Sequence, residues 1–254
     1  MKFAVIGCGN VAWHYSKMWM QAGHECLFGF SRNAEHFTEK MTPLGISYVP
    51  MTHWPEQPDA VLIAVPDDQI LQVAQSIDPK ITVIIPSGSF DIHSLRHPKK
   101  MVIWGIYSFL YGKEMDYNLV PFCVEACDDT AKQQLHTLMA PWSTQIHMTS
   151  QVQRTKAHMA AVFSNNFVSS LYTIAFDILE QEHLPPSLLL ATIQQLAEKV
   201  KTETPNHLQT GPAKRNDLQT LQKHLLLLND QPEQQEIYRL LSNYILTKYG
   251  HSKL

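Results

Sequence analysis

The chain has 254 residues, 44% of them hydrophobic and 17% charged, and its 23 acidic against 20 basic side chains leave a formal net charge of -3. That balance excludes the basic surface of a nucleic-acid binder or of a polybasic membrane anchor, and leaves a small-molecule substrate as the natural partner. No apolar run approaches the ~20 residues of a membrane span and no signal-like segment precedes the first apolar run, so a cytoplasmic protein with no membrane contact is expected.

The chain opens on KFAVIGCGNVA, residues 2–12. A short apolar run predicts a buried strand over 2–6, and a helix is expected over 11–21, ended by Gly23. Between them Gly7 and Gly9 supply a tight turn with close backbone approach, and Ala12 stands in the third small position of a GxGxxA pattern. Pyrophosphate can rest on the unpaired N–H groups of such a helix start, so Gly7, Gly9, Asn10 and Val11 are expected to bind a dinucleotide.

Further strands are predicted over 25–30, 60–64, 82–85, 102–106 and 121–125, with helices over 67–76 and 129–140 between them. This alternation is that of a parallel sheet with crossover helices. Beyond residue 150 strand signals fade, and 3.6-residue periodicity runs over 152–182, 186–202, 212–228 and 233–248, punctuated by Pro185, Pro186, Pro205, Pro212 and Pro232. The expected fold class is α/β: a doubly wound, mostly parallel Rossmann sheet over 1–150, followed by an all-helical C-terminal domain over 151–254.

The loop after the second strand reads GFSRN. An acidic residue there would bind a free ribose 2′-hydroxyl, whereas Ser31, Arg32 and Asn33 offer donors and one fixed positive charge, which favours NADP over NAD. Downstream, AVPDD at 64–68 and PSGS at 86–89 follow two strands and should line the same carboxyl edge. Val65, Pro66, Asp67, Ser87 and Ser89 are therefore cofactor-binding candidates, although Pro66, Asp67 and the serines also suit ordinary turn and cap chemistry.

The helical half carries KAHMAAVFSNNFVSSLYTIAFDIL. At about 100° per residue Phe163, Phe167, Leu171, Ile174 and Ile178 form an apolar stripe, and His158, Asn165 and Ser169 cluster on the opposite face. That face is either solvated or lines a cleft where an imidazole exchanges a proton and an amide orients a carbonyl or imine. In QTGPAKRNDLQTLQKHLLLL, the turn Thr210 to Pro212 reads as a helix start. With Arg215 beside it, it is either an anion site or a plain capped helix with a surface Arg215–Asp217 pair.

Cys8, Cys26, Cys123 and Cys127 have no repeated pair spacing and read as buried free thiols. Most of the thirteen histidines stand alone. No metal site is expected.

HMAAVFSNNF at 158–167, TGPAKRND at 210–217 and VPFCVEA at 120–126 together resemble a Rossmann-like family with a helical C-terminal domain. Its architecture is related to pyrroline-5-carboxylate reductases and to 6-phosphogluconate and 3-hydroxyacid dehydrogenases. The resemblance implies hydride transfer between NADP and a C=O or C=N carbon, with a homodimer built through the helices. It puts the family's histidine and asparagine at His158 and Asn166, where helix geometry prefers Asn165, and its TGPxxRxD at Thr210, Gly211, Pro212, Arg215 and Asp217. Two departures stand out. WGIYSF at 104–109 replaces a segment that reads like YPLQTF in relatives, and Val162 takes the place of the helix lysine of the hydroxyacid dehydrogenases. A non-catalytic NADP-binding sensor or partner-binding module is the alternative to an oxidoreductase.

Overall fold

A computed structural model describes residues 1–254. In chain order the elements are β1 (Lys2–Ile6), α1 (Asn10–Gln21), β2 (Glu25–Phe30), α2 (Ala34–Met41), β3 (Ala60–Ile63), α3 (Asp67–Gln75), β4 (Thr82–Ile85), β5 (Lys100–Gly105), β6 (Phe122–Ala126), α4 (Asp129–Leu138) and β7 (Ile146–Met148). Helices follow: α5 (Gln151–Ala161), α6 (Phe167–Gln181), α7 (Leu190–Lys199), α8 (Pro205–Leu208), α9 (Leu218–Leu227) and α10 (Pro232–Lys248). Two compact units result, Met1–Asn165 and Asn166–Leu254.

The first unit is built on a seven-stranded sheet in the order β2-β1-β3-β4-β5-β6-β7. Strands β1 to β5 pair in parallel, β6 runs antiparallel to β5, and β7 pairs in parallel with β6. The expected mostly parallel, doubly wound sheet is thus present, with β7 as an unexpected edge strand of three residues. Side chains alternate along each strand and separate the core in two. Phe3, Val5, Leu62, Ile84 and Met101 pack with Tyr15, Met18 and Trp19 of α1 and Leu135 of α4. Ala4, Ile6, Val61, Ile63, Val83 and Ile85 pack with Ile70 and Ala74 of α3. The strand order reverses direction at β1, because the chain goes from β1 to β2 on one side and then crosses to β3 on the other. In open α/β sheets that switch point opens a crevice at the carboxyl ends of the two strands.

The second unit is all helical. Three expected helices differ from their sequence reading. The segment 152–182 is not a uniform α-helix: α5 passes into a π-turn at Val162–Asn166 before α6. The helix expected from 212 begins only at Leu218. Residues 211–216 form turns in which Gly211 and Asn216 have φ of 101° and 56°, a backbone that cannot enter a helix. The helix expected over 186–202 is a 3-10 turn at Pro186–Leu189 followed by α7.

The cysteines are free, but their expected burial holds only for Cys123; Cys8 and Cys26 are half-buried and Cys127 is exposed at the end of β6.

Candidate functional site

The crevice at the switch point is lined by Gly9, Asn10, Val11 and Ala12 from α1, by Ala64, Val65 and Asp67 beyond β3, and by Pro86 and Ser87 beyond β4. It measures about 230 Å3. Gly7 makes it, with φ of 114° and an N–H that donates to the Phe30 carbonyl at 2.8 Å. A Cβ on Gly7 would stand 2.2 Å from the Ala64 carbonyl oxygen, so only glycine lets the β1 and β3 ends approach. Gly9 is the N-cap of α1 and gives it no side-chain cap, and a Cβ there would meet nothing within 4 Å. The first N–H groups of α1 are left without a side-chain acceptor beside an open cradle, a preformed anion site.

Asn10 contributes through its backbone, because its side-chain amide donates to the Phe109 carbonyl at 3.0 Å. One turn on, His14 Nε2 lies 2.8 Å from the Leu110 carbonyl and its Nδ1 3.1 Å from the Tyr117 hydroxyl. The ring thus pins the loop after β5 to α1. Burial pushes the Tyr117 phenol up to about 12.

Asp67 does not cap α3, since Pro66 is the N-cap. Its carboxylate accepts instead from the Ser87 hydroxyl at 2.9 Å and the Ser89 hydroxyl at 2.7 Å, tying the loops after β3 and β4 together. Val65 and Pro66 lie on the same loop.

After β2 the three candidates separate. Ser31 donates to the Asn33 carbonyl at 2.7 Å, and the Asn33 side chain accepts from the His36 N–H as the N-cap of α2. Both are occupied in local structure. Arg32 is exposed.

His158 on α5 meets the same sheet edge. Its ring lies edge-on to Trp104 at the end of β5, with centroids 5.5 Å apart and an interplanar angle of 63°. Gly88, beyond β4, lets both rings close in: a Cβ there would be 2.7 Å from Trp104 and 2.9 Å from His158. Neither nitrogen of His158 is hydrogen-bonded within the chain. Asn165, in the π-turn, donates to the Ser108 hydroxyl at 2.8 Å and so joins this turn to the loop after β5. The wider turn lodges one extra residue, so the phase that a uniform helix gives to position 165 falls to position 166. Asn166, to which the family resemblance points, is exposed.

Arg215 is exposed on the turn at 211–216. The helix-start reading of Thr210 to Pro212 is corrected, because the N-cap of α9 is Asp217, whose carboxylate accepts from the Thr220 N–H at 3.1 Å and the Thr220 hydroxyl at 2.8 Å. These bonds hold the Asp217 carboxyl below its usual range. Sequence reasoning missed Arg154, Glu125, Gly88 and Ser108, whose roles rest on partners distant in the chain.

Residues 2–86 match the family described as NADP oxidoreductase coenzyme F420-dependent, and residues 120–245 match the domain of unknown function DUF2520. A solved structure from Bacteroides fragilis, provisionally described as an NADP oxidoreductase, is similar at TM-score 0.88 and 25% identity, over 97% of this chain and 98% of that one. A protein from Thermotoga maritima reaches 0.71 at 18% identity with the same coverage. A 1-pyrroline-5-carboxylate reductase from Streptococcus pyogenes reaches 0.63 at 12%, again over 97% and 98%, which shows a shared fold. No curated protein matches the chain. The match over residues 2–86 thus takes in the crevice lining except Ser87, and the match over residues 120–245 takes in Glu125, His158, both asparagines and Arg215.

Proposed function

We propose that the protein is an NADP-dependent oxidoreductase acting on a C=O or C=N carbon of a small, carboxylate-bearing metabolite. The observation that carries this reading is the preformed anion cradle at Gly7 to Val11 on the sheet edge that also bears His158 with both ring nitrogens unengaged. The donor set fits a dinucleotide. Uncapped N–H groups of α1 take the pyrophosphate, Arg32 takes a 2′-phosphate, and Asp67, held by Ser87 and Ser89, faces the crevice as an acceptor for ribose hydroxyls.

The bound cofactor supplies a hydride to the substrate carbon. His158 gives the proton that the oxygen or nitrogen then needs, the acid role that an imidazole takes in proton transfer. Asn165, fixed to Ser108, and Asn166 act as polar clamps, and Arg215 is an exposed cation suited to an anionic group. We further read the protein as a cytoplasmic homodimer formed through its helices.

The test is calorimetric binding of NADPH and NADH to the wild type and to Arg32→Ala. The expected result is NADPH binding that Arg32→Ala weakens about tenfold or more, roughly 1.4 kcal/mol, with NADH binding little changed. No binding of either cofactor overturns the reading. NADPH oxidation over a panel of keto and imino acids then separates an enzyme from a non-catalytic sensor. Loss of that oxidation in His158→Gln and Arg215→Ala is the expected outcome, and unchanged turnover in both removes the assigned roles.

A further inference from the structure

Arg154 lies one helical turn before His158 on α5 and has no exposed surface. Taking a guanidinium out of water costs several kcal/mol, and only close, well-directed partners offset that cost. The partners here come from three places. Arg154 donates to the Glu125 carboxylate on β6, to the Phe90 carbonyl beyond β4 at 2.9 Å, and to the Gln151 side-chain oxygen in the first turn of α5. Gln151 in turn donates to the Ser89 carbonyl at 3.2 Å, and the other oxygen of Glu125 accepts from His93 Nε2 at 2.9 Å. The same stretch, 86–90, thus contains the serines that hold Asp67, the glycine against His158 and the carbonyls that hold α5.

His158 is placed by contact alone. No hydrogen bond of its own fixes the ring, so its position against Trp104 and Gly88 is inherited from the position of α5. Residues four apart on a helix share a face, about 6 Å apart, so whatever fixes Arg154 fixes His158.

We propose that Arg154 is a positioning residue for His158: by tying α5 to β6 and to the loop after β4, it holds the imidazole at the carboxyl edge of the sheet. This rests on the reading of His158 as proton donor. A lysine would not substitute, because an ammonium on a flexible stem lacks the planar fork that reaches acceptors in several directions.

The experiment is proton–carbon NMR of the His158 ring in the wild type, Arg154→Lys and Glu125→Gln, with assignment from His158→Gln. A ring beside Trp104 carries a ring-current displacement that a moved ring loses, and a folded but less stable protein would otherwise retain it. Circular dichroism identifies the folded variants. Should Arg154→Lys fail to fold, Glu125→Gln carries the test, since it keeps the side-chain shape and removes the charge that faces Arg154 and His93. The expected result is that the His158 resonances move toward those of an unstructured histidine, while NADPH affinity stays within about threefold, ~0.7 kcal/mol. Unmoved resonances in a folded variant overturn the positioning role, and do so whether or not His158→Gln abolishes turnover. Moved resonances together with a fully active His158→Gln keep the anchor and remove the proton-donor reading.

Discussion

Gly7 and Gly88 do comparable work by opposite routes. Gly7 needs a backbone that other residues reach only at a cost of about 1–3 kcal/mol, and a side chain there meets a carbonyl that cannot swing away. Gly7→Ala should therefore lower the melting temperature and abolish NADPH binding in calorimetry. At Gly88 the obstacles are two side-chain rings, which can yield. Gly88→Ala should keep NADPH affinity and cost no more than the ~1–3 kcal/mol of ordinary overpacking, yet displace His158 and cut turnover about tenfold or more. Steady-state kinetics beside a thermal melt check both halves of this statement. Gly7 was legible in the sequence because its neighbours in the chain, a strand and a helix start, define its task. Gly88 was read as loop because its task is set by Trp104 and His158, 16 and 70 positions away in the sequence. Arg154 is a sharper case: a basic residue on a helix reads as solvated until Glu125 and Phe90 are seen around it.

Among the elements, the strands β1 to β6 and the helices α1, α3 and α4 were legible to within a residue or two, because a sheet covered on both faces buries every position of runs such as AVLI and TVII, whereas α2 was not read. Strand β7 was not, since three half-exposed residues, IHM, carry no pattern and owe their conformation to pairing with β6. The start of α9 was misread for a different reason. Thr210-Gly211-Pro212 has the composition of a helix start, but left-handed Gly211 and Asn216 break the backbone before Leu218. The two registers make opposite predictions. With Asp217 as N-cap, Asp217→Ala removes an acceptor for the Thr220 N–H and lowers the melting temperature at neutral pH; inside a helix begun at 212 the same change would raise it. The carboxyl is held below its usual range, so the cap contributes fully above that range and is lost as pH falls through it. The gap in melting temperature between variant and wild type should accordingly close in acid. The π-turn at Val162–Asn166 was invisible to a reading that advances 100° per residue, and no composition signal marks it.

For the whole molecule, the apolar surface of the helical unit is the feature that asks for a partner. On α10, Ile237, Leu240, Leu241 and Tyr244 recur at helical spacing and stay exposed, Leu240 at 65%. A contiguous stripe of this kind on a folded unit marks an interaction face, in keeping with the proposed homodimer. Analytical ultracentrifugation should give a dimer for the wild type and a monomer for Leu240→Glu combined with Tyr244→Glu; a monomeric wild type would rule the dimer out. Acid stability has its own local origin. His24 bridges the N-terminal amine and the Leu138 carbonyl, and burial, followed by the nearby amine charge, holds its imidazole below the usual value. The unfolded chain then takes up a proton at higher pH than the folded one, so stability falls as pH drops below about 6.5, the unfolded value. His24→Gln should flatten that part of the melting curve against pH.

The bare amino end of α1 has a consequence for how much of this protein a cell holds. Donors left without a cap make the empty fold weaker than the filled one, and any anion-bearing ligand that binds only the folded chain adds about 2.7 kcal/mol at one hundred times its dissociation constant. The fraction of chains open to proteases falls accordingly, by about a hundredfold. With NADP as the proposed ligand, the lifetime of the protein follows the supply of that dinucleotide, and cells short of it should clear the protein faster while transcribing it at the same rate.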